Sequence, residues 1–399
     1  MTVVYEALTA WEQHDRELSE EHAKAIASTG VVTVTPAEGV GTWTLRADSR
    51  VGVLVGDGWQ IGIRPRLKIP RLMFLLGYSL RSEGWKETQA IFETAEHIED
   101  AIAAAFSVHT ERALRPGVLH GYIAVDASEP TLRGRVRFAD QFARRPGLPI
   151  PVEITYDDFT PNVLENRMLL TAAELLLRLP RIPPQARRRL LWARVALEGV
   201  ERLAVTRVDA PEITRLNARY GSALVLAELI IRRFSLGAEH GAVAATSFVF
   251  DMNEVFESFL TTRLSKAFRR HGGWVSRQRP TPLAVGLGMN TDITWHGRES
   301  VRAVIDAKYK SLVDAKTMPN ADAYQMLAYC VSLNLRRGHL IYAKESGQAE
   351  RVYSVIRHGY EIDVRAVDVE LAPEALLAQV DAIADSIAHD WRESEAVAA

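Results

Sequence analysis

The sequence lacks the marks of several large enzyme classes. It has one cysteine, Cys330, in 399 residues. A disulfide within the chain is excluded, and so is a four-cysteine zinc or iron–sulfur site. A reducing, cytoplasmic setting is expected. There is no Gly-Lys dipeptide, hence no G-x-x-x-x-G-K-[ST] loop, so hydrolysis of a nucleotide by that device is excluded. No H-E-x-x-H pair occurs, and His109, His120 and His240 are scattered. No G-x-S-x-G elbow supports a serine hydrolase. Long apolar runs are missing too. The strongest, residues 223–231, falls far short of the ~20 residues that cross a bilayer, and the first residues lack a signal-peptide core. No membrane association is expected. Charge of one sign is not in excess: 48 Lys and Arg face 50 Asp and Glu, for a net charge of -2. Clusters of arginine at 64–66, 133–137 and 187–189 still allow a local basic surface, although solvated faces are the simpler reading.

What is present is an ordinary globular composition, 47% hydrophobic and 25% charged, long enough for two or three domains. A helix is predicted over 19–28. Short β-like runs follow at 31–35, 42–46, 51–55 and 59–63, in the manner of a small twisted sheet or barrel. Helical periodicity returns at 72–76 and 94–114. A second β-rich patch covers 118–125, 132–138 and 152–156, with 141–151 read as a loop. Helices are predicted over 162–179, 184–198 and 211–234. A boundary is placed within 235–245. The remainder reads helix (253–271), strands (274–277, 289–295, 301–309), helix (322–333), strands (337–343, 351–357, 360–363) and a final helix (373–392). This order predicts an α/β domain, a mixed sheet flanked by helices. It follows an α+β region with a small β-rich sheet or barrel and a helical segment. The expected domains are 1–115, 116–240 and 241–399.

The chemistry concentrates in the last of these. In a strand over 301–309, Asp306 and Lys308 share one face and Ile305 and Ala307 the other. Asp292 lies on the preceding run, and residues 296–299 make a candidate hairpin turn that would bring the two carboxylates together. Two carboxylates suit a hard divalent cation such as Mg²⁺ or Mn²⁺, and a nearby lysine can orient water or stabilise phosphate oxygens. On the preceding helix Phe256, Leu260, Leu264 and Phe268 form an apolar stripe, and Glu257 falls inside it. A carboxylate there needs a partner or a metal, so Glu257 is a candidate third acid, with pairing to a lysine or arginine as the alternative. On the following helix Gln325 and Tyr329 share a face and are candidates for contact with the lysine or a nucleic-acid strand.

This order of residues resembles the PD-(D/E)xK nuclease superfamily, RecB-like branch, and within it the McrC family. The resemblance rests on Asn253-Glu254-Val255-Phe256-Glu257, Thr291-Asp292-Ile293, Asp306-Ala307-Lys308-Tyr309-Lys310 and Tyr324-Gln325-Met326-Leu327-Ala328-Tyr329. Weaker matches are Ile63-Arg64-Pro65-Arg66, Leu132-Arg133-Gly134-Arg135, Glu165-Asn166-Arg167-Met168-Leu169 and Leu216-Asn217-Ala218-Arg219-Tyr220. Thr291 stands where the superfamily motif usually has proline. The resemblance implies that Asp292 and Asp306 bind metal, that Lys308 is the catalytic lysine and that Glu257 is an auxiliary acid. It also implies double-stranded, methylated DNA as substrate and an McrB-like AAA+ GTPase ring as partner, docked by the N-terminal region. The alternatives are a stand-alone or repair-type RecB-like nuclease and a non-catalytic activator of a partner NTPase.

Overall fold

The computed structural model describes residues 4–79, 92–93, 95–204, 208–238, 246–298, 300–309, 319–344, 351–355 and 359–398. The chain is a mixed α/β protein with several sheets. Its contacts gather into two units: Met1–Val53, Gly58–Thr94 and Val249–Ala399 form the first, Leu54–Asp57 and Ala95–Phe248 the second. This differs from the three consecutive segments expected from the sequence. Among the described residues no helix is long and apolar enough to cross a membrane.

The first unit is built on a six-stranded sheet in the order β11-β12-β13-β14-β16-β15. The strands are β11 (Trp274–Ala284), β12 (Leu287–His296), β13 (Val301–Lys308), β14 (Arg337–Lys344), β15 (Arg351–Ser354) and β16 (Glu361–Asp368). β13, β14 and β16 run parallel, while β11, β12 and β15 are antiparallel to their neighbours. β13 lies inside the sheet and is covered on both faces, which is why Ala303-Val304-Ile305 reads as an unbroken apolar run rather than an alternation. One face packs on a helix over Met252–Phe268, where Phe268 stacks on Trp295 with centroids 4.5 Å apart. The C-terminal helix, Pro373–Ala398, brings Trp391 edge-on to the same tryptophan. The other face packs on a helix over Asn320–Leu333, whose Met326, Tyr329 and Cys330 meet Val304, Leu340, Tyr342, Ile362 and Val364. Gly338 permits that approach: a Cβ there would lie 2.3 Å from Met326 Sδ and 2.7 Å from Cys330 Sγ.

The amino-terminal strands are β1 (Val4–Thr9), β2 (Gln13–Glu17), β3 (Val32–Pro36), β4 (Thr42–Ala47), β5 (Arg50–Gly56) and β6 (Trp59–Arg64). They form open sheets, β2-β4-β3 and, with β10 (Thr246–Asp251), β1-β6-β5-β10, rather than a barrel. In chain order the helices are α1 (Glu20–Ser28), α2 (Ile69–Ser79), α3 (Ile98–Leu114), α4 (Phe138–Arg144), α5 (Leu164–Leu177), α6 (Pro184–Ala196), α7 (Gly221–Ala238), α8 (Met252–Phe268), α9 (Asn320–Leu333) and α10 (Pro373–Ala398). α2 lays Tyr78 and Phe74 against Phe259 of α8, centroids 5.4 and 6.2 Å apart. Arg263 donates to Tyr78 Oη at 3.2 Å, and Met252 N donates to Ser49 O at 2.9 Å. The apolar side of α2 is thus buried on α8, and this ties the early residues to the late ones.

In the second unit α3, α5, α6 and α7 pack as a bundle, and β7 (Gly121–Glu129), β8 (Arg135–Val136) and β9 (Val152–Thr160) form the sheet β7-β9-β8. Two of the weaker motif matches brace this unit. Asn166 donates to Leu119 O at 2.7 Å and to Pro161 O at 2.6 Å, while Asn217 donates to Glu165 Oε1 at 3.0 Å. Leu119 N donates to Tyr220 Oη at 2.9 Å. Gly134 has a φ of +72° and a Cβ there would lie 2.3 Å from Thr155 O, so the loop before β8 requires glycine.

Other expectations need correction. Residues 138–144 are helical, so 141–144 are not loop; the helix exposes all its residues or leaves them half-buried, and gives no periodic apolar signal. The helix expected from 211 begins at Gly221, because Asn217 Oδ1 accepts from Thr214 N at 2.7 Å and holds a turn there. The strand expected over 132–138 shortens to Arg135–Val136. β1, β2 and β10 were not anticipated. Thr94, most of the 235–245 boundary, Glu299, Lys310 and residues 356–357 lie outside the described residues.

Candidate active site

β12 and β13 pair antiparallel, with Ile293 opposite Ile305. One residue further on, Asp292 and Asp306 share the face that carries Val304. The turn after His296 is closed by a Gly297 N to Ser300 O bond of 2.8 Å. Asp306 therefore sits inside the sheet, with 0% of its surface exposed. Asp292 Oδ2 accepts from Ala307 N at 3.4 Å, across the strand pair.

The structure brings all of the sequence-derived candidates together. Lys308 Nζ lies 2.8 Å from Asp306 Oδ2 and donates to Gln325 Oε1 at 3.2 Å. Gln325 Nε2 donates to Tyr329 Oη at 2.7 Å, and Tyr329 Oη donates to Asn290 O at 2.6 Å. The direction of this relay is fixed by chemistry: an ammonium only donates, so the carboxamide oxygen of Gln325 must face it. On the other side, Glu257 Oε1 accepts from Arg277 Nε and from Gln278 Nε2, both at 2.9 Å. The same Gln278 nitrogen lies 3.2 Å from Asp292 Oδ1. Glu257 thus has the arginine partner that the sequence left as an alternative, and it reaches Asp292 through Gln278. The sequence reading missed Gln278 and the Asn290 carbonyl. It also gave no separate role to Asn253, whose Oδ1 accepts from Tyr309 N at 3.2 Å.

The electrostatics follow from burial. Loss of water pushes the Asp306 carboxyl up to about 8, and the neighbouring Asp292 charge adds to this while Lys308 opposes it. Burial alone would lower the Lys308 ammonium, but the carboxylates of Asp306, Asp292 and Asp322 outweigh it and hold it above the ordinary lysine value. Burial and the Asp306 carboxylate push the Tyr329 phenol up to about 12, so it keeps the proton it donates to Asn290. Tyr342, buried, donates to Asp322 Oδ2 at 2.6 Å and is likewise raised.

The donor set fits a hard divalent cation. Among the described residues the Lys308 ammonium, 2.8 Å from Oδ2, and the Asp292 carboxyl are the groups that face Asp306. A buried carboxylate beside a second carboxylate is short of positive charge. Among the described residues no group of three or more His, Cys, Asp or Glu is placed to hold a metal ion. Asp292 and Asp306 are thus a pair of carboxylates of the kind that suits a hard, oxygen-seeking cation, and Glu257 does not join them as a third ligand in this geometry.

Comparison with known proteins shows a family and a fold. No curated protein sequence matches this chain. A solved structure described as a refined half-complex from a tetradecameric assembly of Thermococcus gammatolerans McrB AAA+ hexamers with bound McrC contains a similar chain. The match has a TM-score of 0.63 at 16% identity and covers 96% of this chain and 100% of the other. A chain of the cryo-EM structure of the Thermococcus gammatolerans McrBC complex aligns with a TM-score of 0.43 at 17% identity, over 66% of this chain and 88% of that one. The family model for the McrBC 5-methylcytosine restriction system component matches residues 45–343. The chain belongs to that family, as the McrC resemblance in its sequence leads one to expect.

Proposed function

We propose that this chain is a McrC-like endonuclease subunit, with a PD-(D/E)xK site of the RecB-like branch. It cuts DNA by divalent-cation-dependent phosphodiester hydrolysis in concert with a ring-forming AAA+ GTPase. The observation that carries the reading is Asp306, a fully buried carboxylate set between Asp292 and the Lys308 ammonium, whose Nζ lies 2.8 Å from Oδ2. Asp292 and Asp306 would hold the cation. When bound, Mg²⁺ or Mn²⁺ neutralises phosphate charge and acidifies water. Lys308 stays protonated at neutral pH, so its part is electrostatic: it orients water and stabilises phosphate oxygens rather than removing a proton. Gln325 and Tyr329 hold that ammonium in place through oriented hydrogen bonds.

A partner supplies what this chain lacks. The neighbour of similar fold is described with McrB AAA+ hexamers, and this sequence has no phosphate loop of its own. Besides the docking surface expected within 1–115, the small sheet of the second unit offers a second candidate face. There Tyr122 and Phe159 pair across strands while 75% and 59% exposed, and Phe142 is 70% exposed. Large apolar side chains left together in water mark an interaction site. Tyr122→Ala with Phe159→Ala should weaken ring binding by about tenfold or more, since buried aromatic anchors dominate interfaces. Mn²⁺ binding should be unchanged; equal ring affinity by pull-down or interferometry would remove the assignment.

The test of the function is reconstitution. The chain, a cognate McrB-like ring GTPase, GTP and Mg²⁺ should linearise plasmid containing 5-methylcytosine and spare the unmethylated form. Cleavage that needs neither GTP nor the ring would replace this reading with a stand-alone nuclease.

A further inference from the structure

Gln278 is the one residue of the site whose backbone is out of place. Its φ is +47°, in a region that only three non-glycine described residues occupy. It does not lie in a turn; the β11–β12 hairpin closes further along, between Ala284 and Leu287. In the ladder Arg277 opposes Ile293 and Arg279 opposes Thr291, and the pairing lapses at Gln278, across from Asp292. Successive side chains of a regular strand point to opposite faces of a sheet. Here Arg277 Nε and Gln278 Nε2 both reach Glu257 Oε1, each at 2.9 Å. The left-handed residue turns Gln278 so that two neighbours converge on one carboxylate. The same amide then spans to Asp292 Oδ1 at 3.2 Å. Both partners only accept, so the nitrogen must face them.

Non-glycine residues held at positive φ persist where the surroundings enforce them, and such positions cluster at functional sites. The contacts its side chain makes there are to the two carboxylates. With Oδ1 held by Gln278 and Oδ2 by Ala307 N, Asp292 has one orientation, and each oxygen keeps a lone pair free.

We infer that Gln278 is a positioning residue of the proposed metal site, tying the Asp292 carboxylate to Glu257 so that it is held beside Asp306, where the two would bind a divalent cation. Glu257 then serves the site through Gln278, as the anchor of the amide. The inference rests on the nuclease reading of the same site.

Mn²⁺ titration of the full-length chain by calorimetry, with no DNA and no partner, tests it. Gln278→Gly keeps the backbone shape without strain and removes the amide. Losing a group that orients a metal ligand typically weakens binding about tenfold to a hundredfold, and that is the result expected. The metal-free melting temperature should hold or rise. Gln278→Asn also tolerates positive φ and keeps a shorter amide, so it should recover part of the loss. Wild-type affinity in Gln278→Gly would overturn the inference and leave the nuclease reading intact. So would a fall in the metal-free melting temperature that accompanies the lost affinity, because the role would then be structural. Absence of Mn²⁺ binding by the wild-type chain would overturn the metal site itself, before any variant is compared.

Discussion

Lys308→Ala is expected to lower the rate of DNA cleavage by at least about 10²–10³-fold, the usual loss when one preorganised group facing developing charge is removed. The ammonium lies 2.8 Å from Asp306 Oδ2 and donates to Gln325, which in turn donates to Tyr329. Asp306→Ala should lose activity to a similar or greater degree, for a different reason. Without Asp306 the cation loses a ligand, so Mn²⁺ binding disappears along with cleavage. Lys308→Ala, in contrast, removes a positive charge that competes for Asp306, and its Mn²⁺ affinity should hold or increase. Plasmid linearisation and calorimetry on both variants separate the roles. Asp306→Ala protein that cuts as well as wild type would show that the reaction occurs elsewhere.

Asp306→Asn should make the metal-free protein more stable, most strongly at alkaline pH. Asp306 titrates near 8 in the fold and near the ordinary carboxyl value when unfolded. Between those values the folded state holds a proton that the unfolded state has released, so wild-type stability falls as pH rises. The fall continues through pH ~4 to ~8 and then levels off, because above that range both states are ionised. One unit of difference corresponds to about 1.4 kcal/mol, so the advantage of asparagine should reach a few kcal/mol at the alkaline end. Saturating Mn²⁺ should reverse the order: it binds the ionised wild-type pair and not the amide, and stabilises only the former. Thermal melts at pH 5, 7 and 9, with and without Mn²⁺, check both signs. Identical pH profiles for the two proteins would mean that Asp306 is solvated and ordinary.

The site was more legible than the frame around it. Asp306 and Lys308 announce themselves because an acid and an amine interrupt an apolar strand, and Glu257 because it interrupts an apolar helical stripe. These are local patterns, and the structure gathers their residues. Gln278 was hidden because its importance lies in a backbone rotation, and a glutamine in a run of Arg, Pro and Thr looks like solvated strand. α4 was hidden for a related reason: it buries no residue, so periodicity is silent. The grouping of residues was hidden because it depends on distant pairings. β1 runs parallel to β6, with Val4 opposite Trp59, and no short-range pattern predicts a parallel partner fifty-odd residues away. The motifs Glu165-Asn166 and Asn217 to Tyr220 were visible as motifs, yet their work is to brace the second unit, which only the hydrogen bonds disclose.

The discontinuity of the first unit sets an order of events during synthesis. α2 leaves the ribosome long before α8, whose Phe259 and Arg263 cover Phe74 and Tyr78. At ~5–20 residues per second the early segment waits on the order of ten seconds or more for that cover. Contacts between such distant residues also carry a loop-closure cost, which slows folding more than it lowers stability. In that interval the second unit, continuous from Ala95 to Phe248 apart from one short strand-end segment, can complete its own bundle. The proposed cutting site is therefore the last part of the molecule to become whole, and a nascent chain lacks its assembled carboxylates and lysine until the carboxyl-terminal third has been made.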